Sequence, residues 1–211
     1  MRFLITAGPT REYLDPVRYL SNASTGRMGA ALAEAAGRAG HRVTLVLGPV
    51  ETPPPAVDDL LRVTSAREMF EAVEARLEAC DALLAAAAVA DYRPANPSPE
   101  KIRKGTGRLT LDLEPTPDIL AEMGCRRRPG QVLVGFCLES EDLQARARAK
   151  LEAKGLDLVV ANPPAAVGAA RQDALLVRRD GACERLTGVT KADLAERILA
   201  VVARLADETS A

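Results

Sequence analysis

Short apolar runs alternate with amphipathic stretches along most of this chain. Six apolar runs are bounded by glycine, proline or polar residues, which is typical of buried strands. They cover residues 2–6, 41–47, 60–64, 82–89, 131–137 and 156–161. Segments that begin at Met28, Ser65 and Asp142 instead place apolar residues three and four positions apart, which predicts helices between the strands.

The alternation of strands and helices predicts an α/β fold. We expect a Rossmann-like, doubly wound and mostly parallel sheet in a three-layer sandwich, because strand–helix–strand units join parallel strands by right-handed crossovers. Residues 174–178 and 184–186 flank Asp180-Gly181 and predict a small C-terminal strand pair. A closing helix is predicted over residues 191–206.

The segments between these elements differ in kind. Residues 11–18 are expected to be irregular. Residues 91–107 carry three prolines and two glycines without apolar periodicity, which predicts a loop that acts as a lid. Alternation over residues 109–113 predicts a further strand. Thr116 is expected to cap a short helix that has Pro117 at its first position.

Composition narrows the class of protein. No linker divides the chain, so residues 1–211 are expected to form a single domain. A net charge of −1 argues against nucleic-acid and membrane-surface partners, which usually require a basic excess. Four cysteines without paired spacing and a single histidine argue against structural zinc. Since the first apolar run is too short for a signal peptide or a membrane span, we expect a cytoplasmic protein.

A loop of small, polar and glycine residues lies between the first strand and the first helix. Residues 21–29 read SNASTGRMG. Exposed backbone N–H groups at a helix start attract anions, and small residues let a phosphate approach them. The alternative is a well-capped helix without a ligand. The chain lacks GxGxxG and GxxxxGK[ST], which argues against a dinucleotide site and a P-loop kinase.

Lysine is rare in this chain and is unevenly placed. Of 28 basic residues only five are lysines, and four of these form two pairs. Lys150 and Lys154 share a helical face, whereas Lys101 and Lys104 lie in the proline-containing loop. Mobile point charges suit phosphates that move during a reaction; a solvated charged surface is the alternative. Phe136 ends a strand, where it could stack on a base or pack in the core.

Taken in order, ten short segments resemble phosphopantothenoylcysteine synthetase, the phosphopantothenate–cysteine ligase domain of bacterial coenzyme A biosynthesis. In that family the domain is commonly the C-terminal half of a bifunctional flavoprotein. The resemblance spans about residues 3–165, and the set of motifs is specific to the family. The segments are Thr10-Arg11, residues 15–22, Ser24, Gly26, Met28-Gly29, and residues 87–93, 101–104, 116–119, 134–136 and 161–162.

The resemblance implies a ligation in two steps that uses Mg²⁺. The carboxylate of 4'-phosphopantothenate attacks the α-phosphate of CTP, giving an acyl-cytidylate and pyrophosphate. The amine of L-cysteine then attacks the acyl carbon and releases CMP. The wording AAVADYR with KIRK resembles the branch of the family that uses CTP, and the same ligation with ATP is the alternative. The family also implies a homodimer, for which residues 174–186 are the expected interface.

The resemblance implies individual roles as well. Asn22 corresponds to the asparagine that holds the acyl-cytidylate, Arg18 to its helper, and Lys101 to a lysine on a mobile flap, here residues 91–107. Ser24 and Gly26 belong to the phosphate loop. The remaining nucleotide-binding positions are Ala87, Asp91, Pro117, Asp118, Ile119, Leu120, Phe136, Lys150 and Lys154. No metal ligand is identified.

Three positions depart from the family pattern. Gly8-Pro9 replaces a Gly-Gly pair, Cys137-Leu138 replaces Ala-Ala, and the residues after Asn162 are prolines rather than polar. The flavin-binding decarboxylase half is not present, which makes a separate flavin-dependent decarboxylase a candidate partner. Two other functions stay open: a catalytically silent nucleotide-binding protein, and an NAD-dependent reductase that the missing GxGxxG disfavours.

Overall fold

The centre of the molecule is a sheet of eight strands, seen in a computed structural model that describes residues 1–210, with side chains to residue 208. The strands of the described chain are β1 Arg2–Ala7, β2 Arg11–Asp15, β3 Arg18–Ser21, β4 Arg42–Leu47, β5 Asp59–Arg62, β6 Ala82–Ala85, β7 Tyr92–Pro94, β8 Leu113–Pro115, β9 Val132–Leu138, β10 Leu158–Asn162, β11 Arg171–Arg178 and β12 Cys183–Thr190. In the large sheet the order is β5-β4-β1-β6-β9-β10-β11-β12. The first six of these are parallel, and β11 and β12 are antiparallel.

Helices cover both faces of this sheet. They are α1 Arg27–Arg38, α2 Ala66–Leu77, α3 Ile119–Arg126, α4 Leu143–Ala153 and α5 Lys191–Ser210, with a 3₁₀ turn at Pro164–Ala166. Helices α1 and α5 share one apolar core with the sheet, and α2, α3 and α4 share the other. The predicted Rossmann-like, doubly wound sandwich with a C-terminal strand pair is therefore confirmed.

The two cores follow from the two-residue period of the strands. In β1, Phe3 and Ile5 point into the core under α1 and α5, whereas Leu4 points into the opposite core. Strands buried on both faces read as continuous apolar runs, which is why the sequence located them. None of the helices in the described part of the chain has the length and apolarity to span a bilayer.

The order of the strands reverses at β1. The chain passes from β1 through α1 to β4 on one side, and later through α2 to β6 on the other side. In open parallel sheets, ligands bind beyond the carboxyl ends of the strands next to such a reversal. Gly8 follows β1 there, and Ala86 follows β6. The topology therefore places a binding region at this edge.

Residues 11–18, expected to be irregular, form much of an antiparallel hairpin of β2 and β3. Its turn is made by Asp15, whose side chain accepts hydrogen bonds from the Val17 and Arg18 N–H groups at 2.9 Å. The hairpin was missed because it lies outside the main sheet and β3 is largely exposed, so its sequence lacks an apolar run.

The run over residues 82–89 forms a strand only to Ala85. Beyond it the regular ladder ends: the Ala88 N–H still donates to the Gly8 carbonyl at 2.9 Å, and two other N–H groups donate to threonine hydroxyls. The Ala87 N–H donates to Thr6 Oγ1 at 3.2 Å, and the Ala90 N–H donates to Thr10 Oγ1 at 3.0 Å. The prediction of a central strand was right, but its length was wrong.

Two further predictions were wrong near the lid. The strand expected over residues 109–113 is β8, which begins at the last of those residues and pairs with β7, so residues 91–107 are not all loop. The Thr116 hydroxyl donates to the Ala90 carbonyl at 2.6 Å and does not cap α3. Asp118 is the cap, accepting from the Ala121 N–H at 3.1 Å.

Candidate functional site

A cleft of about 900 Å³ opens at the carboxyl edge of the sheet. Segments that are far apart in sequence meet there: most follow the carboxyl end of a strand or begin a helix, and the end of α4 adds Lys150 and Lys154. All of the predicted binding residues line this cleft except Arg18 and Lys101. Those brought together are Asn22, Ser24, Gly26, Ala87, Asp91, Pro117, Asp118, Ile119, Leu120, Phe136, Lys150 and Lys154.

The floor of the cleft is the last residue of β6 and the segment after it, residues 85–90, in which five of the six side chains are methyl groups. The threonine hydroxyls described above hold this segment against β1. The Asn22 amide Nδ2 crosses to it and donates to the Val89 carbonyl at 2.8 Å. Small side chains leave room above the floor, so a ligand can lie directly on backbone and Asn22.

One wall of the cleft is formed by the start of α1 and the neighbouring start of α5, and we name it the α1–α5 wall. Gly26 precedes α1 with φ of 71°, and no side chain of the described residues caps the helix. The Ser24 hydroxyl accepts from the Gly26 N–H at 3.3 Å. The first-turn N–H groups of α1 are therefore free of a side-chain partner, as the phosphate-loop hypothesis requires.

Two glycines set the position of this wall. A Cβ on Gly26 would lie 2.8 Å from Val50 Cγ1, and a Cβ on Gly29 would lie 2.3 Å from Ala7 Cβ. Real side-chain carbons do not approach so closely, and the positive φ of Gly26 disfavours other residues as well. Glycine is thus needed here so that α1 can lie directly against the end of β1.

The opposite wall is formed by the start of α3 and the end of α4, and we name it the α3–α4 wall. It carries an ion pair. Lys154 Nζ lies 2.8 Å from Asp118 Oδ2, which joins the end of α4 to the cap of α3. Burial acts to raise the pKa of Asp118. The Lys154 hydrogen bond, the Ala121 N–H and the charges of Lys154 and Lys150 outweigh it, so the pKa is lowered. Asp118 is therefore held in its charged form.

Lys150 lies deeper on the same wall. Its Nζ donates to the Phe136 carbonyl at 2.6 Å, so the charge sits beside the end of β9. Burial lowers the pKa of Lys150, and the nearby Lys154 charge lowers it further. The Cys137 thiol faces the opposite effect, since burial raises its pKa. A partly buried ammonium with only a carbonyl partner is suited to receive an anion.

Arg18 and Lys101 do not line the cleft. Arg18 belongs to a clasp between the hairpin and the flap, and Lys101 directly precedes the flap residue that the clasp holds. Asp15, whose side chain is fully buried, binds Arg18 Nη1 at 2.5 Å and accepts from the Ile102 N–H at 3.1 Å. Arg18 also donates to the Ile102 carbonyl at 2.9 Å. Burial acts to raise the pKa of Asp15, but these N–H donors and Arg18 lower it overall. Lys101 is therefore next to an anchored residue.

Sequence reasoning missed several residues of the cleft. Arg27 and Lys191 line the α1–α5 wall, together with Gln172 and the 3₁₀ turn that follows β10. Lys191 could have been found, because it is the one lysine outside the two pairs in an arginine-rich chain. Arg27 lies in the loop of residues 21–29 that the sequence singles out, but its side chain was given no role. Among the described residues, no group of three or more His, Cys, Asp or Glu side chains could hold a metal ion.

The chain is similar to known proteins over almost its whole length. The profile of the family described as DNA/pantothenate metabolism flavoprotein C-terminal domain matches residues 1–205. The coenzyme A biosynthesis bifunctional protein CoaBC of Bacillus subtilis (strain 168) is 44% identical over 211 residues, 98% of this chain and 52% of that protein. A cysteine/cysteine sulfinic acid decarboxylase from an unknown prokaryotic organism is 42% identical over 203 residues, 94% of this chain and 56% of that protein.

The fold agrees as well. The crystal structure of the C-terminal domain of coenzyme A biosynthesis bifunctional protein CoaBC superposes with a TM-score of 0.85 at 36% identity, covering 98% of this chain and 96% of that one. The chain spans about half the length of the curated relatives it matches. The likeness to curated proteins therefore concerns this one region of them.

Proposed function

Because the chain belongs to the family of DNA/pantothenate metabolism flavoprotein C-terminal domains, we propose that it is a phosphopantothenate–cysteine ligase. The reaction would join 4'-phosphopantothenate to L-cysteine with CTP, through a phosphopantothenoyl-cytidylate, and release CMP and pyrophosphate. One observation carries the proposal: residues 22–154 supply a dozen motif positions that converge on a single cleft. The relatives named CoaBC support a role in coenzyme A biosynthesis.

The proposed roles follow the position of each side chain. Asn22, on the floor, would hold the acyl-cytidylate beside the Val89 carbonyl that it already contacts. The helix start at Gly26 and the ammonium of Lys150 would stabilise negative charge on the phosphates. Holding the nucleophile in line with the α-phosphate is the main requirement of the first step.

Mg²⁺ would accompany the nucleotide. This ion usually keeps several waters and binds one or two carboxylates together with substrate phosphates. Asp91 is an exposed carboxylate on the cleft and fits that requirement. The ion would offset charge on the triphosphate when it is bound there. Lys101, on the flap, would close over the intermediate and exclude water. Because the clasp joins the neighbouring Ile102 to Arg18 of the hairpin, this closure would require the hairpin to move as well.

We also propose a cytoplasmic homodimer, with a flavin-dependent decarboxylase as a candidate partner. Strand β12 is the outer strand of the sheet, so its free edge could pair with a second copy. This supports residues 174–186 as an interface. Sedimentation velocity at several concentrations would test the assembly, and a single monomeric species would contradict it.

The central experiment is incubation with phosphopantothenate, L-cysteine and each nucleotide in turn. CTP should yield pyrophosphate and CMP in equal amounts with the ligated product. If product forms only with ATP, then ATP rather than CTP is the co-substrate. Binding of CTP without any pyrophosphate would make the protein a silent nucleotide binder and overturn the ligase proposal.

A further inference from the structure

Arg27 and Lys191 are two cations on the α1–α5 wall that none of the predicted roles uses. Both line the cleft. Neither forms an ion pair with a carboxylate in the part of the chain that the structure describes with side chains, and Arg27 is the charge that Lys191 senses. The opposite wall differs, because there Asp118 neutralises Lys154.

The surroundings of Lys191 hold its ammonium without neutralising it. Its Nζ donates to Gln172 Oε1 at 2.7 Å and to the carbonyls of Ala166 and Ala169 at 3.2 Å. All three acceptors are uncharged. The nearest acid along α5, Asp193, is occupied at the helix cap, where it accepts from the Thr190 hydroxyl at 2.7 Å. Among the described residues, no carboxylate therefore neutralises the ammonium, and its three acceptors fix its direction.

Two like charges at one wall raise the energy of the unliganded cleft. Burial lowers the pKa of Lys191, and the charge of Arg27 lowers it further. An anion placed between them would turn this repulsion into two attractions. Arginine adds a planar fork of donors that matches phosphate oxygens, whereas the tethered lysine adds a point charge.

The geometry points to a second phosphate subsite, formed by Arg27 and Lys191 on the face of the sheet opposite to Lys150 and Lys154. The inference rests on the proposed function only for the source of the phosphate. Two sources share the chemistry: the terminal phosphates of the nucleotide and the phosphate monoester of phosphopantothenate. In either case a ligand with two separated anionic groups would span the cleft from one wall to the other.

Titration calorimetry on the full chain tests this without relying on turnover. The probes are CTP, CMP, phosphopantothenate and pantothenate, and the variants are Arg27→Gln and Lys191→Gln. Loss of the Arg27 hydrogen bonds, or of the nearby Lys191 charge, should raise the affected dissociation constant about tenfold or more. Weaker binding of CTP but not CMP assigns the subsite to the nucleotide. Weaker binding of phosphopantothenate but not pantothenate assigns it to the monoester.

Matched variants separate charge from structure. Arg42→Gln removes an exposed arginine from the opposite edge of the sheet and should leave all four constants within twofold. Arg27→Lys and Lys191→Arg keep the charge and should restore most of the binding. If Lys191→Gln fails to fold, Arg27→Gln decides alone, because Arg27 is exposed.

Unchanged constants in a folded Arg27→Gln variant, or a parent protein that binds CTP and CMP equally and phosphopantothenate and pantothenate equally, would overturn the subsite. Failure of the ligase proposal looks different. In that case the parent makes no pyrophosphate, yet the charge-dependent binding is still lost in the variants.

Discussion

The two walls of the cleft carry similar positive charge but use it differently. On the α3–α4 wall Lys154 is neutralised by Asp118, and that pair fastens one helix to the next. On the α1–α5 wall Arg27 and Lys191 have no carboxylate partner among the residues described with side chains, and α1 begins without a side-chain cap. A paired charge mainly fixes shape, whereas an unpaired one retains its interaction energy for a ligand.

The largest effect is expected at Asn22, which lies on the floor between the walls. Asn22→Asp places a negative charge where both walls would direct phosphates, so ligation should fall about 10²–10³-fold. Release of pyrophosphate and CMP measures it. Circular dichroism should match the parent, because the two side chains have the same shape. Ligation at the parent rate would show that Asn22 has no role in the mechanism and that the reaction does not take place beside it.

A smaller effect is expected at Lys150, the member of the α3–α4 wall without a carboxylate bond. Lys150→Met should weaken CTP binding about 10–100-fold. Since burial of the ammonium is unfavourable, the thermal midpoint should stay level or rise. Arg146→Met, an exposed change on the same helix, is the control. A Lys150 variant that loses stability but not affinity would show that this lysine fixes shape, as Lys154 does.

The position of the α1–α5 wall can be tested by two identical substitutions in one helix. Gly29→Ala should destabilise the protein by about 1–3 kcal/mol, because its Cβ would overlap Ala7. Gly37→Ala meets nothing within 4 Å and should stabilise it by about 0.5–1 kcal/mol. Thermal denaturation of both variants gives the comparison. Equal midpoints would mean that α1 is not fixed by close contact with β1.

The smallest effect concerns the ion pair of the α3–α4 wall. Asparagine caps helices as well as aspartate does, so Asp118→Asn removes the charge alone. Because the pKa of Asp118 is lowered on folding, its stabilising effect is full above the unfolded value of about 4 and is lost as pH falls through the folded value. The free energy of unfolding should differ from that of the parent by at most about 1 kcal/mol at pH 7, and the difference should vanish in acid. A difference that does not shrink as the pH falls below the unfolded value would contradict the pairing.

The sheet and most of the cleft could be predicted because they depend on local pattern. Apolar runs located the buried strands, and parallel strands bring their carboxyl ends to one edge. The family resemblance then selected residues such as Asn22 and Lys150. What could not be predicted depends on distant contacts. Arg18 and Lys101 were placed with the binding residues, but the structure joins Arg18 to Ile102, 84 positions away.

The same limit explains the residues that were missed. Lys191 lies outside the resembling segments; its isolation among the lysines was a sign of it, but its place in the cleft depends on the packing of α5 beside α1. Thr116 has the sequence of a helix cap, yet a carbonyl from another segment takes its hydroxyl. In each case the local sequence allowed more than one role for the side chain, and a tertiary contact determined which role it has.

The clasp at Asp15 has a consequence for the order of folding. Its bond to the Ile102 N–H closes a loop of 87 positions, and such long loops pay their entropy before any contact rewards them. The hairpin of β2 and β3 closes within eleven residues and can form early. Pairing of β1 with β6 brings Phe3 next to Ala82 and so shortens the loop that the clasp must close. We therefore expect the flap to dock after the central strands have paired, which pulse-labelled hydrogen exchange would show as late protection of the Ile102 amide. A chain with a defective flap would then still build its sheet and lack only the cover of its cleft.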